Sequence, residues 1–372
     1  MIKKTQSPVR ILQIIHSLNA GSGVTSVVLD WHRHIDRTHV QFDYLCIYGA
    51  PVNREEEVKK LGGRFFILPH PMRHPFRFLQ ESFRFFKTHR YHTIHSHIKQ
   101  LNIVFFPLAK WFGVRKIISH AHFTQWSYKK LNGFRNHFMF QIVKPLIDCR
   151  IACSIAAGKT FFGKNFTVIK NGIEVEKFDY REETRIIQRK KLGFESNFII
   201  GNIGRLNIQK NHIFLVEIFA ALLKHDSNAR LVLVGSGPLE KQIKKHIASK
   251  NLEKNVLLLS TCSCVDKLYQ AFDVFCLPSL YEGLPVVGVE AQTAGLPCVF
   301  SDAITQEVLM LTTSCRLSLK KSAEDWAKTI YRFKNRERTS GARIVKEQGF
   351  DVRETSKQIY DLYMKLMEKG YA

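Results

Sequence analysis

Short apolar runs alternate along the chain with longer segments whose apolar residues recur every three or four positions. Val9-Arg10-Ile11-Leu12-Gln13-Ile14-Ile15 reads as the first strand, and residues 42–47, 64–68, 92–95, 115–119 and 150–153 continue the series. A second series covers residues 198–203, 230–234, 255–259, 274–277 and 297–300. Continuous apolar strands separated by helical patterns predict an α/β fold whose parallel sheets are covered on both faces. Between the two series, residues 171–197 are charged and carry little apolar periodicity apart from Phe178, so the linker between two domains is placed there. A chain of 372 residues is long enough for two domains with separate cores.

Two amphipathic segments stand apart from the strand series. Residues 71–90 carry Phe76, Leu79, Phe83 and Phe86 at helical spacing, with Arg77, Arg84 and Lys87 between them. This pattern predicts a basic amphipathic helix. Such a helix packs on its own sheet, and an outward basic face would add contact with acidic lipid. Near the end, Ile359, Tyr360, Tyr363, Met364 and Met367 predict a closing helix that packs back on the body.

Composition narrows the picture. The hydrophobic fraction of 45% is ordinary for a globular protein. No apolar run approaches the roughly 18 residues of a membrane span. The stretch 11–15 is too short for a secretory signal, so a cytoplasmic location is expected. Cys46, Cys149, Cys153, Cys276, Cys298 and Cys315 sit in or beside apolar runs, as small hydrophobes do. Cys262-Ser263-Cys264 is spaced too tightly for a zinc site, and no metal is expected. The net charge of +24 implies an anionic partner: nucleic acid, an acidic lipid surface or a phosphorylated substrate.

Four segments carry candidate chemistry. Pro278 to Glu290 leads from a strand through a turn into a helix that starts near Pro285, a residue favoured in a first helical turn. Gly283 and Leu284 would offer backbone N–H groups to an anion there. Glu282 would reach a sugar hydroxyl, and Glu290 would accept from both ribose hydroxyls; a solvated loop acid and a helix-face acid read the same way. Arg205 and Lys210 follow the first strand of the second series, where open α/β sheets bind ligands, and suit a diphosphate. Gly235-Ser236-Gly237 follows another strand and would let backbone approach a ligand, although a plain tight turn explains it equally. Gly21-Ser22-Gly23 is a glycine-rich loop after the first strand, short of a full dinucleotide fingerprint because position 26 is Ser26. Ala157-Gly158-Lys159-Thr160 imitates a P-loop, but Cys153 stands where its first glycine belongs.

Taken in order, these segments resemble the retaining GT-B glycosyltransferases of the family 4 type, and most of all the branch acting in bacterial capsular and exopolysaccharide synthesis. The resemblance runs over nearly the whole chain. It includes Arg10-Ile11-Leu12, Gln41-Phe42-Asp43, His95-Ser96-His97, Ala152-Cys153-Ser154, residues 169–173, Gly204-Arg205-Leu206, residues 234–239, and the Glu282 and Glu290 pair with seven residues between. It implies two facing Rossmann-like domains with a cleft between them. Residues 1–175 would form an acceptor-binding domain, 176–350 a nucleotide-sugar-binding domain, and 351–372 a closing helix. It further implies that Glu290 holds the donor ribose and Glu282 contacts the donor sugar. Arg205, Lys210 and the amides of Gly283 and Leu284 would bind the diphosphate, and Gly235 and Gly237 would line the donor. A histidine after a central strand would stand near the transferred sugar; strand-end alignment favours His122, with His120 second. In the loop Gly21, Ser22, Gly23, for acceptor or phosphate, Thr25 replaces the family's usual acid.

The activity implied is retaining transfer from a nucleotide-sugar, a UDP-sugar by family, to a lipid-linked glycan acceptor, with no metal and no cofactor. The chain contains no Asp-X-Asp of the kind metal-using relatives of the other major fold employ. Arg73, Arg77, Arg84, Lys87, Arg90, Lys99, Lys110, Arg115, Lys129 and Lys130 fall in the acceptor domain and would meet an acidic membrane surface at the inner face of the cell membrane. Two other readings stay open here. One is a GT-B nucleotide-sugar epimerase, which needs no acceptor. The other is a nucleic-acid-binding protein, suggested by charge and supported by no recognition motif.

Overall fold

The computed structural model describes residues 7–19, 21–47, 54–127, 130–260 and 264–368. Its contacts divide the chain into two compact units. One comprises Met1–Gly172 with Val352–Ala372, the other Ile173–Asp351.

Among the described residues of the first unit, seven parallel strands form a sheet: β1 (Val9–Ile15), β2 (Val40–Cys46), β3 (Phe65–Ile67), β4 (Thr93–Ser96), β5 (Lys116–Ala121), β6 (Cys149–Ala152) and β7 (Thr167–Val168). Their order is β3-β2-β1-β4-β5-β6-β7. The second unit holds six: β8 (Phe198–Ile203), β9 (Ala229–Val234), β10 (Val256–Leu259), β11 (Val274–Leu277), β12 (Cys298–Ser301) and β13 (Cys315–Leu317). Their order is β10-β9-β8-β11-β12-β13. Both sheets are Rossmann-like and follow the α/β expectation. β7 and β13 were not among the strands read from the sequence. Each sheet reverses its winding direction once, between β1 and β4 and between β8 and β11. Ligands of open α/β sheets bind beyond the carboxyl ends of such neighbouring strands.

The closing helix spans Val352–Glu368 and buries Ile359, Tyr363 and Met367 within the first unit, against the helix Gly23–His34. The segment 171–197, in which the linker is placed by the sequence, contains the boundary between the units and is largely ordered. The boundary falls at Gly172 and Ile173, and the rest folds onto the second unit as helices Val175–Phe178 and Glu182–Leu192. Polar chemistry replaces apolar periodicity there. Arg185 and Arg189 both reach Asp273 just ahead of β11, and Asp273 also accepts from the Ile199 amide at 2.7 Å. Arg189 is 8% exposed and donates to the carbonyl of Ala271 at 2.9 Å.

The amphipathic helix forms over Pro75–Thr88, but its buried stripe is Phe78, Ser82, Phe85 and Phe86. Of the stripe read from sequence, only Phe86 is inside; Phe76, Leu79 and Phe83 are exposed at 86%, 48% and 42%. The helix is apolar on two sides; Phe78 and Phe86 pack on Phe105 of the helix Asn102–Trp111, and Phe85 packs on Phe66 of β3. The P-loop look-alike lies inside the helix Ile155–Phe162, capped by Ser154, where no phosphate cradle exists. Cys264 is exposed, whereas Cys262 and Ser263 lie outside the described residues.

Replacing Asp273 with alanine strands the buried Arg189 guanidinium. The expected loss is about 3 kcal/mol of stability, measured by urea unfolding. A change below about 0.5 kcal/mol would show that the helix 182–192 is not held by this pair.

Candidate active site

In the second unit the chemistry collects where β8 and β11 end. Asn207 begins a short helical turn over Ile208–Lys210, its side chain accepting from the Lys210 amide at 3.2 Å, and Asn211 closes the turn in the left-handed region. This geometry turns Gln209 and Lys210 toward the loop after β11. Lys210 Nζ lies 2.7 Å from Glu282 Oε1, and both side chains are nearly buried. Ser279 Oγ donates to Glu282 Oε1 at 3.0 Å, and Gln209 Nε2 donates to Oε2 at 3.0 Å. Gln209 Nε2 also donates to Tyr281 O, the Leu280 amide donates to Gln209 O, and Asn211 Nδ2 donates to Pro278 O. Two strand ends are thus stitched into one platform.

Glu282, placed by the sequence in the loop within reach of a sugar hydroxyl, is 7% exposed with its carboxylate held by neighbouring side chains. A buried carboxylate needs charged or hydrogen-bonding compensation, which Lys210, Ser279 and Gln209 provide. The Lys210 ammonium has three N–H donors, so the pairing with Glu282 leaves others for an anion. Arg205 is exposed on the loop that follows β8.

Pro285 is the N-cap of the helix Val286–Thr293, one position earlier than the first-turn place expected for it. Gly283 and Leu284 are buried just ahead of that helix. Glu290 is half-buried in its second turn, and the hydroxyl of the fully buried Tyr269 donates to Glu290 Oε2 at 2.7 Å. Gly235 has φ of 154° and sits so close to the first loop that a β-carbon would meet Gly204 O at 2.0 Å; one on Gly237 would meet Leu206 O at 2.3 Å. The Leu206 amide donates to Ser236 O, and the Leu239 amide to Leu206 O. The Gly235-Ser236-Gly237 turn therefore packs backbone to backbone against the Arg205 loop.

In the first unit, Ser22 caps the helix Gly23–His34, accepting from the Thr25 amide, while Gly21 and Gly23 are exposed. Thr25 is buried and donates to Ser17 O at 2.7 Å. It serves the fold of the loop and presents no group outward. Ala20 lies outside the described residues.

His120 and His122 belong to a larger cluster. The side-chain period of two places Gln13, His95, His97, His120 and His122 on one face of the sheet. His95 Nε2 is 3.3 Å from His120 Nδ1, and His97 Nδ1 is 2.8 Å from His122 Nε2. Trp31 stacks on His120 with centroids 5.6 Å apart and donates to Thr355 of the closing helix. Burial drives His95, His97 and His120 well below the ordinary imidazole range, and brings His122 down to about 3 against an opposing pull from Asn171. All four are neutral at physiological pH. Ring nitrogens of His95, His97 and His120 lie within 4.8 Å of one another, so they could meet a metal ion. His95 and His97, however, already use both ring nitrogens on Tyr363, Gln13 and neighbouring imidazoles.

Gln209, Ser279 and Tyr269 were not singled out from sequence, because neutral side chains in loops and helices carry no motif. The alternation of histidines at 95 and 97, and again at 120 and 122, was a usable signal for a shared strand face. Lys99, counted among the membrane-facing cations, is instead held between Phe123 and Phe161, 4.2 Å and 4.5 Å from their ring centroids, and donates to Gln125 O. Burial pulls its pKa down to about 7. Lys110 is paired with Asp148; Lys129 and the side chain of Lys130 lie outside the described residues.

Changing Lys210 to methionine leaves Glu282 buried without its cation, and about 2–3 kcal/mol of stability should be lost. Adding Glu282→Gln should recover more than about 1 kcal/mol of that loss, measured as a double-mutant cycle in urea. Additive losses would show that the pair does not hold the platform.

Comparison with known proteins supplies the family. The model for glycosyl transferases group 1 matches residues 184–348, and that for Glycosyltransferase Family 4 matches residues 21–177. The "Putative glycosyltransferase EpsF" of Bacillus subtilis is 32% identical over 339 residues, 87% of each chain. The "UDP-Gal:alpha-D-GlcNAc-diphosphoundecaprenol alpha-1,3-galactosyltransferase" of Escherichia coli is 26% identical over 75% of each. Among solved structures, Anabaena Alr3699/HepE in complex with UDP-glucose superposes with a TM-score of 0.80 at 18% identity, covering 96% of this chain and 99% of that one. With two Rossmann-like units and this degree of likeness along its length, the chain belongs to the GT-B glycosyltransferases of the group 1 and family 4 type.

Proposed function

We propose that this chain is a retaining glycosyltransferase that moves a sugar from a UDP-sugar to a lipid-linked glycan acceptor, in capsular or exopolysaccharide synthesis, at the acidic inner face of the cell membrane. The observation that carries the reading is the Lys210–Glu282 platform where β8 and β11 end. It fixes a cation with spare donors at the switch point of the sheet, on the same loop as the exposed Arg205. The names of relatives agree with a sugar nucleotide and a diphosphoundecaprenol-linked acceptor, and HepE holds UDP-glucose.

In this reading Glu290, steadied by Tyr269, accepts from the donor ribose. Arg205, Lys210 and the Gly283 and Leu284 amides take the diphosphate, while Gly235 and Gly237 keep the two loops in register. Glu282 sets Lys210 and borders the sugar. The bond from the anomeric carbon to the diphosphate oxygen breaks, and the acceptor oxygen bonds to the same face of that carbon. Its proton passes to the departing phosphate oxygen. Charge grows on the leaving group and is met by the two cations, as electrostatic preorganisation requires, so no metal is needed. His122, with His120, offers neutral imidazole to the transferred sugar, and Gly21, Ser22 and Gly23 offer backbone to the acceptor or its phosphate.

The membrane part rests on side chains. Among the described residues no helix is long and apolar enough to cross a bilayer. Three neighbouring helices of the first unit nonetheless expose large apolar groups: Phe76, Leu79 and Phe83 on the first, Trp111 on the second, and Leu131, Phe134, Phe138 and Ile142 on the third. Arg73, Arg77, Arg84, Lys87 and Arg90 are exposed on or beside the first helix. Near an anionic surface each cation contributes on the order of 1 kcal/mol.

With a UDP-sugar and a polyprenyl-diphosphate-linked acceptor, the product should keep the donor's anomeric configuration, read from the anomeric proton coupling, and chelator should leave the rate unchanged. An inverted product, or activity lost to chelator and restored by magnesium, overturns the mechanism. An isomerised sugar released without acceptor replaces it with the epimerase reading. Glu290→Ala should weaken UDP binding tenfold or more by calorimetry, since one hydrogen bond to a charged group is worth about 1.5–3 kcal/mol. Unchanged affinity removes Glu290 from the ribose.

The protein should float with anionic vesicles at low salt and not with neutral ones. The combined change of Phe76, Leu79 and Phe83 to serine should reduce flotation several-fold without lowering Tm. Failure of the unmodified protein to bind anionic vesicles overturns the membrane assignment.

A further inference from the structure

The buried histidines form one continuous chain of hydrogen bonds, and neutral imidazole has a single N–H to give. That restriction makes the whole chain solvable. Gln13 Nε2 donates to Tyr363 Oη at 2.9 Å. The Tyr363 hydroxyl is therefore left to donate to His95 Nδ1, 2.6 Å away. His95 must then carry its proton on Nε2 and donate to His120 Nδ1, which puts the His120 proton on Nε2 as well. On the other side Gln13 Oε1 is 2.9 Å from His97 Nε2 and accepts its proton. His97 Nδ1 is consequently an acceptor, served by the Nε2–H of His122. Two ring nitrogens remain, His120 Nε2 and His122 Nδ1, neither of which has a hydrogen-bond partner among the described residues. Asn171 also interacts with the His122 side chain and opposes the lowering of its pKa by burial, while Lys99 adds to that lowering.

We propose that Gln13 and Tyr363 are positioning residues that lock His120 and His122 in defined tautomers, so that His120 presents a donor Nε2–H and His122 an unprotonated acceptor Nδ1. Tyr363 lies on the closing helix and Gln13 in the middle of β1, and both are fully buried. The return of the chain to the first unit thus sets the proton on a histidine at the end of β5. The amide also blocks proton conduction. Passing a proton through Gln13 would require an imidic acid, so the array holds orientation and does not relay charge. The consequence for catalysis rests on the acceptor-side reading of His120 and His122 given above. The tautomers themselves do not.

Long-range proton–nitrogen correlation spectra of the full chain labelled with ¹⁵N-histidine test this directly. At neutral pH all four residues, His95, His97, His120 and His122, should be Nε2–H tautomers. The opposite amide orientation would make all four Nδ1–H, and either that result or a mixed set overturns the lock. Tyr363→Phe keeps the buried ring and removes the link. His95 and His120 should then show averaged tautomers while His97 and His122 stay Nε2–H. For that variant kcat should fall about tenfold with donor KM unchanged, a split that general loosening of the fold would not give. Altered tautomers with unchanged kcat would overturn the role in transfer and leave the donor-side reading intact. Zinc added to the full chain should leave the spectra unchanged. A joint shift of His95, His97 and His120 on zinc binding would overturn the hydrogen-bonded assignment in favour of a metal site.

Discussion

A carboxylate withdrawn from water has to be surrounded by donors, and in the second unit that demand falls on Glu282. The cation comes from Lys210, the amide from Gln209 and the hydroxyl from Ser279. These residues belong to two loops that are distant in sequence and adjacent because β8 and β11 pair. Satisfying Glu282 therefore fixes the ends of both strands relative to each other. The turn after β8 cannot relax without losing the Asn207 cap, the Lys210 pair and the backbone seam to Gly235 and Gly237 together. Under the proposed diphosphate role this rigidity helps, because the ordering cost of the cation is met during folding and not during binding.

The first unit answers the same problem without ions. Gln13, the four histidines and Tyr363 are buried, and desolvation holds the imidazoles neutral. A polar group left alone in a low-dielectric interior is costly, and the network partners every side-chain nitrogen and oxygen of Gln13, His95, His97 and Tyr363. This explains why an aromatic helix residue, Tyr363, is committed to a sheet on the far end of the sequence. Burial of its ring against Phe42 supplies apolar contact, and its hydroxyl completes the polar chain.

Much of this was legible in the sequence where one physical effect dominated. Strands buried on both faces need continuous apolar runs, and β1, β8 and β11 were readable to the residue. The ordered glycine, cation and carboxylate segments pointed to the end of the second sheet because chemistry there requires particular residue types. Legibility failed where two effects competed. Phe76, Leu79 and Phe83 make as good a helical stripe as Phe78, Phe85 and Phe86, and only packing against Phe105 and Phe66 chooses between them. Residues 182–192 looked like linker because arginine pairing to Asp273, not apolar periodicity, attaches them. The burial of Glu282 was not legible because burial of a charge cannot be seen without its partners. Lys99 was counted with the surface cations for the same reason, its aromatic clamp at Phe123 and Phe161 being supplied by other segments.

Each unit handles its buried polar groups in its own way, the second by pairing charges and the first by holding imidazoles neutral. A departing diphosphate concentrates negative charge, and fixed cations meet it best when their own positions are already set. Histidine at an exposed site would be partly protonated near neutral pH. Burial removes that charge from His120 and His122 while keeping one donor and one acceptor nitrogen available for hydrogen bonding. The neutral state follows from desolvation alone, and the identity of donor and acceptor follows from the partners at the other end of each ring. A fold that kept these histidines dry but lost Tyr363 would still supply neutral imidazoles, yet it would no longer decide which nitrogen of His120 carries the proton. Neutrality and orientation are therefore separable properties of the same cluster, the first belonging to the core of the sheet and the second to the helix that closes it.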